Sequence, residues 1–123
     1  MAITDIFLNF KKQIETSDQQ RDEELKTHYY KGNTNQLFET IEQIIRQDAD
    51  SRITTLSKER GEIAVEITKP IPCFMVVTIV SNKPLETAVD FTISTEKTFP
   101  FGAYPVLRKR VISFYERIDK LHT

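Results

Sequence analysis

Cysteine, histidine and glycine are all scarce in this chain, and each scarcity closes off a class of chemistry. Cys73 is the single cysteine among 123 residues, so no disulfide can form within the chain and no all-cysteine zinc site can be assembled. The two histidines, His28 and His122, fall short of a convincing zinc ligand set. Three glycines leave little material for phosphate-cradling loops, dinucleotide fingerprints or nucleophile elbows, and none of those motifs occurs. A cationic excess is missing too: 17 Lys and Arg stand against 18 Asp and Glu, whereas a protein that neutralises phosphates needs a cation for each contact. No stretch approaches the roughly 20 apolar residues that span a bilayer, and residues 1–13 hold no apolar run of signal length. The expectation is a soluble cytoplasmic protein without metal, cofactor or nucleic-acid partner.

What is present is an apolar content of 39%, enough for one core in a chain of single-domain size. Ile3, Ile6, Phe7, Phe10 and Ile14 recur at helical spacing and predict a short amphipathic helix over residues 3–14. A helix that short is marginal alone and needs an apolar surface to lie on. Residues 15–24, ETSDQQRDEE, contain no apolar side chain and read as a solvated acidic linker. The expected organisation is therefore an N-terminal helix and linker over residues 1–24 and one α+β domain over residues 25–123.

Within that domain, residues 25–31 read as an aromatic-rich strand ending at Gly32. A helix capped by Asn33 or Thr34 follows, with Leu37, Phe38, Ile41, Ile44 and Ile45 on one stripe. The period then shifts to two. A strand with Ile53 and Leu56 turns at Glu59, Arg60 and Gly61. The return strand puts Ile63, Val65 and Ile67 on one face and Glu62, Ala64 and Glu66 on the other. CFMVVTIVS and LETAVDFTISTE follow, separated by a turn at Asn82, Lys83 and Pro84. A last helix runs from about Ala103 to Leu121, its stripe formed by Tyr104, Leu107, Val111, Phe114, Ile118 and Leu121. The fold class is α+β, an antiparallel sheet in the order β-α-β-β-β-β-α, with both one-sided helices on one face. This order resembles the TATA-binding-protein-like, or helix-grip, architecture, in which a curved sheet wraps a long C-terminal helix. Fold alone carries no activity.

The segment KTFPFGAYPVLRKR, residues 97–110, has two readings. As a hinge, it turns the last strand into the helix through Pro100, Gly102 and Pro105 and plugs the sheet end with Phe99, Phe101 and Tyr104. As a nucleic-acid site, it would stack bases on those rings beside Arg108, Lys109 and Arg110. The hinge is favoured, because the three cations fan over about 200° of helix instead of forming one stripe. Glu62 and Glu66 sit about 13 Å apart on one strand, too far for an acid/base pair. His28 reads as a half-exposed strand residue and Cys73 as a buried structural thiol, so no catalytic residue is assigned.

The most informative strand is CFMVVTIVS. Met75, Val77 and Ile79 can join the core, which sends Phe74, Val76 and Val80 to the opposite face, beside Glu66 and Asp90. An apolar ridge on a polar sheet face is a surface that gets covered. The leading expectation is a non-enzymatic interaction or scaffold domain that self-associates through Phe74, Val76 and Val80, with Phe7 and Phe10 as an added contact. The alternative is a carrier of a small apolar ligand in a pocket lined by Phe91, Ile93, Val111 and Phe114. Membrane attachment through residues 3–14 would be weak, given Asp5 and the acidic stretch behind it. The blocks ELKTHYYK, ERGEIAVEITK, ETAVDFTISTE and FGAYPVLRKRVISFYERID resemble, over residues 24–121, a family of small cytosolic proteins from spore-forming Gram-positive bacteria that has no assigned function. That resemblance implies a compact cytoplasmic domain and supplies no catalytic residues.

Overall fold

The computed structural model of the chain describes residues 11–122. Its elements are β1 (Gln13–Glu15), a 3-10 turn (Glu23–Leu25), β2 (His28–Lys31), α1 (Thr34–Gln47), β3 (Ser51–Ser57), β4 (Glu62–Ile67), β5 (Cys73–Lys83), β6 (Glu86–Ser94) and α2 (Tyr104–Leu121). The fold is α+β: one antiparallel sheet in the order β6-β5-β4-β3, with β1 and β2 sharing the far side of β6, and two helices. The expected β-α-β-β-β-β-α order is present, with β1 added in front of it.

Each element follows from its local sequence. Asn33 caps α1 by accepting the Gln36 N–H at 2.9 Å, while the Gln36 side chain accepts the Asn33 N–H at 3.1 Å. Leu37, Phe38, Ile41, Ile44 and Ile45 then bury one face. Pro105 stands in the first turn of α2, where its missing N–H leaves nothing unpaired. The β3–β4 connection turns on Gly61, whose φ of +65° lies in the left-handed region that glycine adopts freely. In β3, a register shift between Ile53 and Thr55 brings Leu56 opposite Ile63 and Ile53 opposite Val65, so two residues three apart share a face. The core between sheet and helices is formed by Ile63, Val65, Met75, Val77, Val89, Phe91 and Ile93 below and by the helix stripes above.

Asp48 ties the two helices together. It stands just past the end of α1, is 8% exposed, and accepts from Arg110 Nη2 at 2.8 Å, from Arg117 Nη2 at 3.2 Å and from the Ser51 hydroxyl. Arg110 and Arg117 in turn place their guanidinium groups 5.3 and 5.4 Å from the Phe114 ring centre. Burial works against the charged carboxylate, but the Ser51 hydroxyl and the two arginines outweigh it and hold Asp48 below the usual carboxylate range.

The N-terminal expectations need correction. Residues 3–10 of the expected helix lie outside the described residues, but the helix does not continue to residue 14: Gln13–Glu15 is a strand, with Ile14 opposite Ile93 and buried. The reason is non-local. The four-residue β2 covers β6 only from Glu86 to Val89, leaving Thr92 to Ser94 with open backbone groups that β1 satisfies. Residues 15–24 are largely solvent-facing as expected, with only Thr16 buried, but they are tied to the domain rather than a free linker. The excursion between β1 and β2 is pinned at both ends, since Thr16 and Thr27 each donate a hydroxyl hydrogen bond to Asp90 Oδ1 at 2.7 Å. Leu25 is fully buried, and Arg108 grips Asp22 at 2.7 Å and Glu24 at 3.2 Å. The folded unit therefore takes in residues from Gln13 onward.

Asp90→Ala is expected to unpin this excursion. Amide exchange over residues 16–27 should accelerate while that of β4 and β5 stays unchanged, at a cost of about 1–3 kcal/mol from the two hydroxyls left without an acceptor. Uniform acceleration across the sheet would contradict the clamp.

Candidate functional site: the outer face of the sheet

With both helices on one side, the other side of the sheet is read row by row from its register. One row runs Glu66, Phe74, Ser94, Gln13; the next Ala64, Val76, Thr92, Glu15; then Glu62, Thr78, Asp90; and finally Val80, Ala88, Tyr29. Phe74, Val76 and Val80 thus lie on the outer face, with Phe74 45% and Val80 50% exposed and Val76 half-buried. Met75, Val77 and Ile79 point into the core. Phe7 and Phe10 lie outside the described residues.

Tyr29 extends this surface, and Leu85 stands exposed in the turn beyond it. Tyr29 continues the Val80–Ala88 row at 43% exposure and donates its hydroxyl to Asp18 at 2.6 Å. Strand alternation against the buried Tyr30 carries that placement. Beyond Val80, the β5–β6 turn displays Leu85, 74% exposed and at φ +61°. A leucine is strained there, because its Cβ crowds the following carbonyl. No pattern in the sequence marks it.

Three of the acidic neighbours are occupied within the chain, while Glu15, beside Thr92, is exposed at the β1 margin. Glu66 pairs with Arg52 across β3–β4, Glu62 lies 3.7 Å from Arg60, and Asp90 holds Thr16 and Thr27. Charges partnered in this way resist an apolar covering less than free carboxylates would.

The residues assigned to a ligand pocket sit on the other side. Phe91, Ile93, Val111 and Phe114 are each at most 1% exposed. The Phe91 and Phe114 rings stack 6.0 Å apart, and Phe91 meets Tyr115 edge-on at 4.9 Å. These side chains are in contact with one another, so a ligand among them would have to displace protein.

The hinge residues divide. Phe99 and Tyr104 pack against the core, but Phe101 is 89% exposed, at the corner of a turn closed by the Gly102 N–H donating to Phe99 O at 3.0 Å. Arg108 and Arg110 both bind internal carboxylates. Only Lys109 of the triplet is exposed. The three therefore present no single cationic surface.

His28 stacks on Tyr115 at 3.6 Å, and its Nδ1 lies 3.3 Å from Asp119 Oδ1 and 3.2 Å from the Tyr30 hydroxyl, so it staples β2 to α2. Burial, then the hydrogen bond to Asp119, pushes the Tyr30 phenol far up. The free Cys73 thiol is half-buried and also pushed up by burial, with the Arg110 charge acting in the opposite direction. Among the described residues, no group of three or more His, Cys, Asp or Glu could hold a metal ion, and no helix is long and apolar enough to cross a membrane. No protein-family model and no curated protein matches the chain.

Proposed function

We propose that this chain is a non-enzymatic interaction domain that pairs with a second copy of itself through the outer face of the sheet. The observation that carries the reading is the apolar set Phe74, Val76 and Val80 on β5, flanked by the small side chains of Ala64, Ala88, Thr92 and Ser94, with Glu66 beside Phe74 and the Glu62–Thr78–Asp90 row between Val76 and Val80. The small side chains beside Val76 and Val80 leave room for a partner's apolar residues, and a two-fold axis near β5 would let the two sets settle beside each other. Four strands by six residues give a flat area of about 400 Å² from strand spacing and rise. That is below the roughly 800 Å² per partner of stable complexes, so the pairing is weak and reversible.

Sedimentation across a concentration series tests this. The native chain of 14.3 kDa should approach twice its mass as concentration rises, and Val76→Lys, which puts a charge in the middle of the ridge, should stay monomeric throughout. Identical behaviour of the two proteins would defeat the proposal. A second variant separates association from folding. Leu85→Asn relieves the left-handed strain and should stabilise the protomer by about 0.5–1 kcal/mol, while weakening self-association by removing an exposed apolar residue at the ridge end. A surface kept strained for binding has that signature.

A further inference from the structure

We infer that a cleft on the helix side of the protein, between the first half of α2 and the β4–β5 connection, binds a small monocarboxylic acid with an aromatic or branched hydrocarbon body. The cleft has a volume of about 480 Å³ and is lined by Pro70, Pro105, Val106, Lys109, Arg110 and Ser113, a size in the range of small-molecule sites. Val106, Lys109, Arg110 and Ser113 recur at three and four residues, so α2 presents them on one face. Pro70 meets them from the β4–β5 connection, which is fixed at both ends: the Thr68 N–H donates to Asp50 O at 2.9 Å and the Thr95 hydroxyl donates to Pro72 O at 2.8 Å. Ile71, between those anchors, packs against the core. The walls are therefore in place before anything binds, which lowers the ordering cost of binding.

The lining divides into two chemistries. Pro70, Pro105 and Val106 offer hydrocarbon, while Lys109, Arg110 and Ser113 offer hydrogen-bond donors, and no carboxylate is among them. Charge balance selects the kind of anion. Arg110 holds Asp48 at 2.8 Å with Asp50 at 4.0 Å, and Arg117 shares Asp48 at 3.2 Å. Two guanidinium groups thus face two carboxylates, and Lys109, exposed and without a carboxylate partner among the described residues, is the charge left at the cleft. One surplus positive charge matches a carboxylate rather than a phosphate dianion. The apolar walls gain only from an occupant that brings hydrocarbon with it, which a bare inorganic anion does not. Arg110 supplies a second, separate sign. Its Nε is buried without a hydrogen-bond partner, an arrangement that is costly until an acceptor arrives. A carboxylate oxygen against that wall becomes the acceptor once the Arg110 stem turns slightly, with its head still held on Asp48.

The cleft lies on the opposite side of the sheet from Phe74 and Val80, so it stands or falls independently of self-association. Amide chemical shifts of the full chain, followed as phenylacetate is added, read the site directly. The expected result is saturable change in the millimolar range, confined to residues 69–71 and 105–113. Phenylacetamide, which keeps the ring and loses the charge, and inorganic phosphate, which keeps charge and loses the ring, should each bind about tenfold more weakly or worse. Lys109→Glu should weaken phenylacetate by a similar factor with the rest of the spectrum unchanged, since the side chain it replaces is exposed. Lys69→Gln removes an exposed lysine that adjoins Pro70 but does not line the cleft, and should change affinity less than twofold. Absence of saturable change up to about 20 mM would overturn the site. So would phosphate or phenylacetamide binding as well as phenylacetate, which would reduce the cleft to a charged or a greasy surface alone. Equal losses from Lys69→Gln and Lys109→Glu would overturn it as well, leaving only the general attraction of a lysine-bearing surface.

Discussion

Replacing Asp48 with alanine is expected to cost about 3–5 kcal/mol of folding stability, the range for removing one partner of a buried ion pair. The loss comes less from the missing contacts than from what remains. The Arg110 side chain is only 13% exposed, its Nε already has no hydrogen-bond partner, and without Asp48 its nearest carboxylate is Asp50 at 4.0 Å. Denaturant unfolding of the variant beside the wild type measures the cost. A loss below about 1 kcal/mol, the size of an exposed pair, would show that the cluster contributes no more than a surface salt bridge. The pH dependence has a defined sign. The folded carboxyl titrates below its ordinary 3.8, so its stabilisation is fully present above that value and is lost as pH falls through the folded pKa. The wild-type and Asp48→Ala stability curves should therefore converge in acid and separate above about pH 4.

Gly61→Ala is the second large effect. A Cβ on Gly61 would stand 2.1 Å from the backbone oxygen of Ile79, a clash that no rotamer change relieves. The position also has φ +65°, which costs alanine about 1–2 kcal/mol by itself, and overpacking adds about 1–3 kcal/mol. The Ile79 N–H donates to the Gly61 carbonyl at 2.7 Å, so relief of the clash must stretch that bond and open the start of the β4–β5 pairing. The expected outcome is a loss of about 2–5 kcal/mol with faster exchange of the Ile79 amide. Arg60→Ala in the same turn should stay within about 0.5 kcal/mol of wild type. Equal stability of Gly61→Ala and wild type would contradict the tight approach.

The helices and the four-strand meander were legible because their signals are local and repeated. Leu37 to Ile45 and Leu107 to Ile118 each return to one face several times, and Ile63, Val65 and Ile67 alternate without interruption. β1 was not legible. Ile14 continues the helical spacing of Ile3, Ile6, Phe7 and Phe10, and what assigns it to a strand is the open stretch of β6 far along the chain. Leu25 stands at the end of an acidic run, and nothing nearby announces that it is buried. The charge partners were equally silent: Arg108 meets Asp22 across 86 residues, and Arg110 meets Asp48 across 62. These pairs are why the basic triplet forms no patch. On the candidate site, alternation along β5 placed Phe74, Val76 and Val80 on the outer face, and the same rule applied to Tyr29 and Tyr30 extends it. Leu85 depends on a backbone conformation that no spacing encodes.

The two borders of the sheet bear on what kind of assembly this protein can form. Along one border β6 is flanked by two short pieces, β1 and β2, interrupted where the chain departs at Thr16 and returns at Thr27. Along the other, β3 is kinked at Thr54 and carries Arg52 outward. Among the described residues neither margin offers a long straight template, so strand-by-strand growth into fibrils is obstructed along them. The proposed contact through the broad side would instead consume the surface that makes it, and would close after two subunits rather than propagate.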